Sequence, residues 1–163
     1  MRTCFIESNP SLGLFDLTTA NMTLQIGATK KICPSLADAV NATNEIPIPT
    51  ANTAPNGVVY VKVFNTNGCY TVAKITLEVF QPVYSPVLVD KIICAEDTTD
   101  VDAGIGFTEY EWSTGATTQT ISNVGIGNYW VKIMMGDCVT KQLVKVLHQN
   151  SLLLLTLKLV TQI

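Results

Sequence analysis

YEWSTGATTQTI, running from Tyr110 to Ile121, is the stretch on which the reading of this chain turns. Tyr110 and Trp112 alternate with Glu109 and Glu111, and successive side chains of a strand point to opposite faces. The glutamates belong in water, so Tyr110 and Trp112 face a core. The Ser-Thr-Gly run at 113–115 is a turn, after which a Thr-rich segment leads into Ile121 as the next strand. A large aromatic pinned inside a short strand between turns is the mark of a β-sandwich.

The same grammar extends in both directions. Strands are expected over 87–93, 98–103, 107–113, 118–123, 127–134 and 138–146, about ten residues apart and separated by Gly- or Asp-containing turns. On the fifth of these, Tyr129, Val131 and Ile133 share the core face, with Trp130, Lys132 and Met134 opposite. Nearer the N-terminus, Val59, Val61 and Val63 oppose Tyr60, Lys62 and Phe64. Cys69, Thr71, Ala73, Ile75, Leu77 and Val79 line one side of a further strand. Pro82 and Pro86 interrupt any ladder between the two halves, because proline has no N–H to donate. The expectation is therefore all-β, with two tandem Ig-like sandwiches and a diverged internal repeat. Residues 1–80 form the first, with a short helix near 35–43 where PSLADAVNATNEI concentrates Ala, Leu and Asp. Residues 81–86 are a Pro-containing linker, 87–147 the second sandwich, and 148–163 an apolar tail without an assigned role.

Composition excludes several functions. Ten basic residues against thirteen acidic, a net charge of −3 and no basic run leave nothing to neutralise a nucleic-acid backbone. SLLLLTLKLV at 151–160 falls short of the roughly 20 apolar residues that span a bilayer, and Lys158 interrupts it. The first residues carry no signal-peptide pattern. No phosphate-binding glycine loop occurs, and a Ser or Cys nucleophile would have to use the single histidine, His148, which is expected in the tail beyond the last strand. Glu109 and Glu111 are neighbouring outward positions, not a pair across a cleft. The chain reads as a non-enzyme.

ICAEDTTDVDAGIGFTEYEWSTGATTQTISNVGIGNYWVKI, followed by GDCVTKQLVKV, resembles the Ig-like, PKD-like repeats of giant surface proteins in gliding bacteria. The matching positions include Cys94, Asp97, Asp102, Gly104, Tyr110, Trp112, Gln119, Tyr129 and Cys138. Glu96, Val101 and Asp137 depart from the pattern. The blocks FDLTTAN, SLADAVNATNEI and VYVKVFNTNGCYTVAKITLEV resemble a companion repeat of the same proteins, from which Lys62 and the KKIC segment at 30–33 depart. The resemblance implies an extracellular or cell-surface, adhesin-like parent associated with gliding motility and type nine secretion. Its partners would be neighbouring repeats, a polysaccharide or another surface protein. Such parents carry an export signal and a C-terminal sorting domain, so this chain is expected to be an internal fragment or a broken reading frame.

Five cysteines allow two bridges and one leftover thiol. Cys94 and Cys138 bracket the second unit and Cys4 and Cys69 the first, so these pairs are the expected staples, with Cys33 free. Glu96, Asp97, Asp100 and Asp102 fall within seven residues, a density that could ligate calcium, although the spacing is not that of an EF-hand loop. No other cofactor is implied. Trp130, Tyr60 and Phe64 are the aromatic side chains expected to face a ligand, and a row of them would make the chain a carbohydrate-binding accessory module. A nonfunctional fragment that aggregates through its Leu-rich tail is the remaining alternative.

Overall fold

The computed structural model describes residues 1–20 and 28–149. The Leu-rich stretch of 151–160 lies outside the described residues. The chain divides into two compact units, with the boundary between Gln81 and Pro82. Among the described residues both are all-β apart from one short helix and two single 3-10 turns in the first.

The first unit contains β1 (Arg2–Ile6), β2 (Asn9–Phe15), β3 (Thr29–Cys33), α1 (Leu36–Asn41), β4 (Asn52–Ala54), β5 (Gly57–Phe64) and β6 (Tyr70–Phe80). The strands are ordered β3-β5-β6-β1-β2-β4. β5 and β6 form the central hairpin, in register from Gly57↔Leu77 to Phe64↔Tyr70. β1 runs parallel to β6 through Arg2–Cys4, then turns to pair antiparallel with β2 across a register shift at Phe5/Ile6. Phe15, Leu17, Ile32, Val59, Val61, Ile75, Leu77 and Val79 form the core. Alternation accounts for Ile75, Leu77 and Val79, whose neighbours Thr76, Glu78 and Phe80 are exposed.

Alternation misplaces Lys62. Its position on β5 belongs to the face away from the valines, which the sequence pattern assigns to solvent, yet the residue is only 5% exposed. The reason is α1, which lies over that face. The Lys62 ammonium donates to the Val40 carbonyl at 2.7 Å and sits 3.8 Å from the Tyr70 ring centroid. A buried ammonium is tolerated where a carbonyl and an aromatic face replace water. α1 itself begins at Ser35, whose hydroxyl accepts the Asp38 N–H, and ends at Ala42 in the left-handed region.

The second unit contains β7 (Lys91–Ile93), β8 (Thr99–Asp102), β9 (Glu109–Trp112), β10 (Thr120–Val124), β11 (Gly127–Met135) and β12 (Cys138–His148). One sheet is β7-β12-β11-β9 and the other β10-β8. Trp112, Val131, Ile133, Val144 and Val146 from the first meet Val101, Ile121 and Val124 from the second in one core. Trp112 is 1% exposed, and its indole N–H donates to the Thr118 carbonyl at 2.8 Å. Burying an indole requires such an acceptor. Gly136 (φ +61°) and Asp137 close the β11–β12 hairpin between Met135 and Cys138, with glycine at the position that needs a positive φ. The strand expected over 87–93 is confined to Lys91–Ile93. Upstream, the Ser85 hydroxyl accepts the Val87 and Leu88 N–H groups in a turn, while the Ser85 and Val83 N–H groups bind Gln142 and Thr140 of β12.

The opening strand of each unit therefore runs parallel to its last strand. β1 lies beside the end of β6, Cys4 opposite Phe80. β7 lies beside the end of β12, Ile93 opposite His148.

Candidate functional site

This shared arrangement decides where the cysteines lie. Cys4 and Cys138 are disulfide-bonded, whereas Cys33, Cys69 and Cys94 carry free thiols. The expected pairs Cys4–Cys69 and Cys94–Cys138 are therefore not formed. The cause is the parallel register. Cys69 precedes β6 while Cys4 sits opposite its last residue, and β6 is eleven residues long. At about 3.3 Å per residue the two are roughly 35 Å apart, against a Cα separation of about 7 Å or less for a bridge. The second unit repeats the geometry. Cys138 is the first residue of the eleven-residue β12, and Cys94 lies beside its far end, where its thiol donates to the Gln149 carboxamide at 3.2 Å. Bracketing a domain in sequence says nothing about which end of the final strand the opening strand adjoins.

Each bonded cysteine occupies the end of its unit nearest the joining segment. Cys4 lies beside Phe80, one residue before Gln81. Cys138 begins the run of β12 on which the start of the second unit docks, through Val83 to Thr140 at 3.2 Å and Ser85 to Gln142 at 2.8 Å. Cys138 is buried and Cys4 half-buried, whereas Cys69 and Cys94 are exposed. Cys33 is fully buried, and its thiol is pushed above the usual range by loss of water, then by the nearby Glu45 and Asp38 carboxylates. A thiol held protonated without access to solvent is inert.

The acids Glu96, Asp97, Asp100 and Asp102 do not assemble a calcium site. No group of three His, Cys, Asp or Glu side chains capable of holding a metal occurs among the described residues. Asp100 and Asp102 serve the fold instead. Asp100 accepts the Asn123 N–H at 3.2 Å. Asp102 accepts the Gln119 carboxamide at 2.8 Å and the Gly104 N–H at 2.7 Å, and those bonds, Gln119 first, hold its pKa below the ordinary value. Sequence density brought these carboxylates near one another, but strand alternation and backbone capping spend them separately.

The aromatic side chains divide between core and surface. Tyr110 and Tyr129 pack against the second core with their hydroxyls on the Gly104 and Gly125 carbonyls. Trp130 lies on the outer face of β11, half-buried, with the Lys132 and Lys141 ammonium groups 5.3 and 5.0 Å from its ring centroid. Lys132 also pairs with Glu111 at 3.0 Å. Tyr60 and Phe64 are likewise half-buried, on the β5 face that carries Lys62. No helix among the described residues is long and apolar enough to cross a membrane.

The result is a pair of mainly β units, each with a bonded cysteine (Cys4, Cys138) and an exposed free one (Cys69, Cys94) at opposite ends of its final strand, the first also holding the buried Cys33 thiol. That defines a cross-linked structural module. The chain belongs to the Flavobacterium inter-domain disulphide bond domain family, whose model matches residues 1–83. No curated protein matches it. Among solved structures it is similar to murine CEACAM1b, at 15% identity over 90% of this chain and 95% of that one, with a TM-score of 0.32. It is also similar to a three-Ig structure of titin domains, at 11% identity over 90% of this chain and 62% of that one, with a TM-score of 0.34. Both likenesses are too low to carry an argument about function.

Proposed function

We propose that Cys4 and Cys138 are bonded to each other and that the chain is a disulfide-clamped pair of Ig-like modules, a non-catalytic spacer in an exported bacterial surface protein. The observation that carries this reading is the state of the cysteines. Of five, Cys33, Cys69 and Cys94 are free thiols while Cys4 and Cys138 are bonded, which supports pairing those two. Each lies at the end of its own unit from which the joining segment departs. The family's description names an inter-domain disulphide, and residues 1–83 are what its model matches.

A bridge of this kind is typical of oxidising compartments, which supports a module that works outside the cytoplasm. Its mechanical consequence is plain. A joint held by one peptide segment bends, whereas a joint held by that segment and a disulfide transmits force along two covalent paths. The sequence resemblance to repeats of gliding-associated surface proteins supports an adhesin-like parent, in which such joints space distal parts from the cell.

The test is intact mass and non-reducing peptide mapping of protein exported to an oxidising compartment. One bridge linking the Cys4 and Cys138 peptides within a monomer is expected, with three labelled thiols. A map showing Cys94–Cys138 or Cys4–Cys69 overturns the reading.

A further inference from the structure

We infer that the outer face of the four-stranded sheet β7-β12-β11-β9 is a docking surface for the same face of a second copy of this chain. The inner face is spent on the core, and alternation sends the remaining side chains of these strands outward. Three cross-strand pairs among them are apolar: Met134 opposite Val139, Trp130 opposite Leu143, and Ile92 opposite Leu147. Leu143 is 71% exposed, Val139 and Ile92 are exposed as well, and the other three are half-buried. Six apolar side chains gathered on one sheet face exceed the singly scattered surface hydrophobics that need no explanation.

The charges on the face select its occupant. Glu109 and Glu111 stand on β9, at one edge, and Lys141 and Lys145 on β12, toward the other. Lys132, between them, is matched by Glu111 at 3.0 Å. Glu109, Lys141 and Lys145 make no ion pair among the described residues, and the Lys141 ammonium rests 5.0 Å from the Trp130 ring centroid. A face with acid along one edge and base toward the other is self-complementary. A two-fold axis parallel to the strands lays β9 of each copy over the β12 side of the other, so both sets of charges meet their opposites at once. Trp130 and Leu143 then lie near the middle, where tryptophan anchors are most effective. A polyanion wants positive charge throughout, and the β9 carboxylates repel it.

The size of the face sets the strength. Val139 to Leu147 covers about 27 Å of β12, and four strands about 4.8 Å apart add about 14 Å across. With side chains the patch is roughly 20 by 30 Å, about 600 Å² per copy and about 1,200 Å² for the pair. That is the lower edge of stable interfaces, so the dimer is weak and forms where copies are concentrated, as on a crowded surface.

Sedimentation velocity of the full chain tests this, with the exposed thiols blocked by iodoacetamide so that no intermolecular disulfide contributes. A monomer–dimer equilibrium with a Kd of about 10–100 µM is expected. Lys141→Glu with Lys145→Glu makes the face acidic on both sides; Glu109→Lys with Glu111→Lys makes it basic. Each double variant alone should dimerise at least about tenfold more weakly, and an equimolar mixture should recover a heterodimer within about threefold of the original Kd. Recovery on mixing requires two folded partners, so misfolding does not imitate it. A chain that stays monomeric up to about 1 mM would overturn the inference. Retention of that monomer on immobilised alginate, lost in the Lys141→Glu, Lys145→Glu variant, would give the face to an acidic polysaccharide instead. A dimer that both double variants form with unchanged Kd would overturn it equally, by placing the contact on another surface. The pairing does not require the Cys4–Cys138 bridge, so its failure and that of the clamp are separate results.

Discussion

Replacing Cys4 by serine changes the first unit, yet the proposed clamp makes its main effect appear in the second. With the bridge in place and the first unit folded, Cys4 is held beside Phe80. If the second unit then unfolds, its chain is still tied at Pro82 and at Cys138, which closes a loop of about 60 residues. The chain-entropy relation gives about 4 kcal/mol of stabilisation for such a loop. A domain of 60–100 residues loses about 4–8 °C of Tm per kcal/mol, so Cys4→Ser should lower the melting point of the second unit by roughly 15–30 °C. The readout is specific, because both tryptophans of the chain, Trp112 and Trp130, lie in that unit. Thermal unfolding followed by tryptophan fluorescence therefore reports the second unit alone. Cys94→Ser, which removes an exposed free thiol, is the control and should leave the transition in place. A Cys4→Ser transition within about 3 °C of the unaltered protein would refute the clamp, since it is the proposed bridge that couples residue 4 to the stability of the second unit.

Other expectations follow from single side chains. Trp112→Ala empties the centre of the second core and strands the Thr118 carbonyl, so unfolding in urea should show a loss of about 3–5 kcal/mol confined to that unit. Lys62→Ala removes both the bond to Val40 and the cation over Tyr70, costing the first unit about 1–3 kcal/mol by circular dichroism melts. Gly104→Ala forces a left-handed φ of +77° on a residue whose new Cβ would lie 2.7 Å from Val87, and should cost about 2 kcal/mol by calorimetry. For pH, the folded pKa of Asp102 is depressed, so its stabilising contribution is present above the ordinary carboxylate range and disappears as pH falls through the folded value. Asp102→Asn should accordingly flatten the acid limb of the stability profile of the second unit; a limb as steep as that of the unaltered protein would exclude Asp102 as its source.

How much of this was legible beforehand varies by residue. The burial of Trp112 follows from Glu109 and Glu111 on either side, because alternation is a local property of extended backbone. The same rule puts Ile75, Leu77 and Val79 on one side of their strand, which the structure shows to be the buried one, and the Gly-containing turn before Cys138 follows from its chemistry. Lys62 escaped because its fate depends on a helix twenty residues upstream, which no pattern within β5 records. The acids at 96–102 looked like a ligand set because sequence proximity counts residues and ignores the backbone donors that claim Asp100 and Asp102 individually.

The cysteines mark the boundary most clearly. Their number, their polarity of placement and the likelihood of bridging are written in the chain, but their partners are not. Spacing along a chain limits how large a loop closes; it does not say whether two strands run parallel or antiparallel, nor which end of one meets which end of the other. Those are settled when distant segments pack, β1 against β6 and β7 against β12. That parallel register separates the cysteines of each unit by the length of a strand, because every residue of an extended chain adds about 3.3 Å between them.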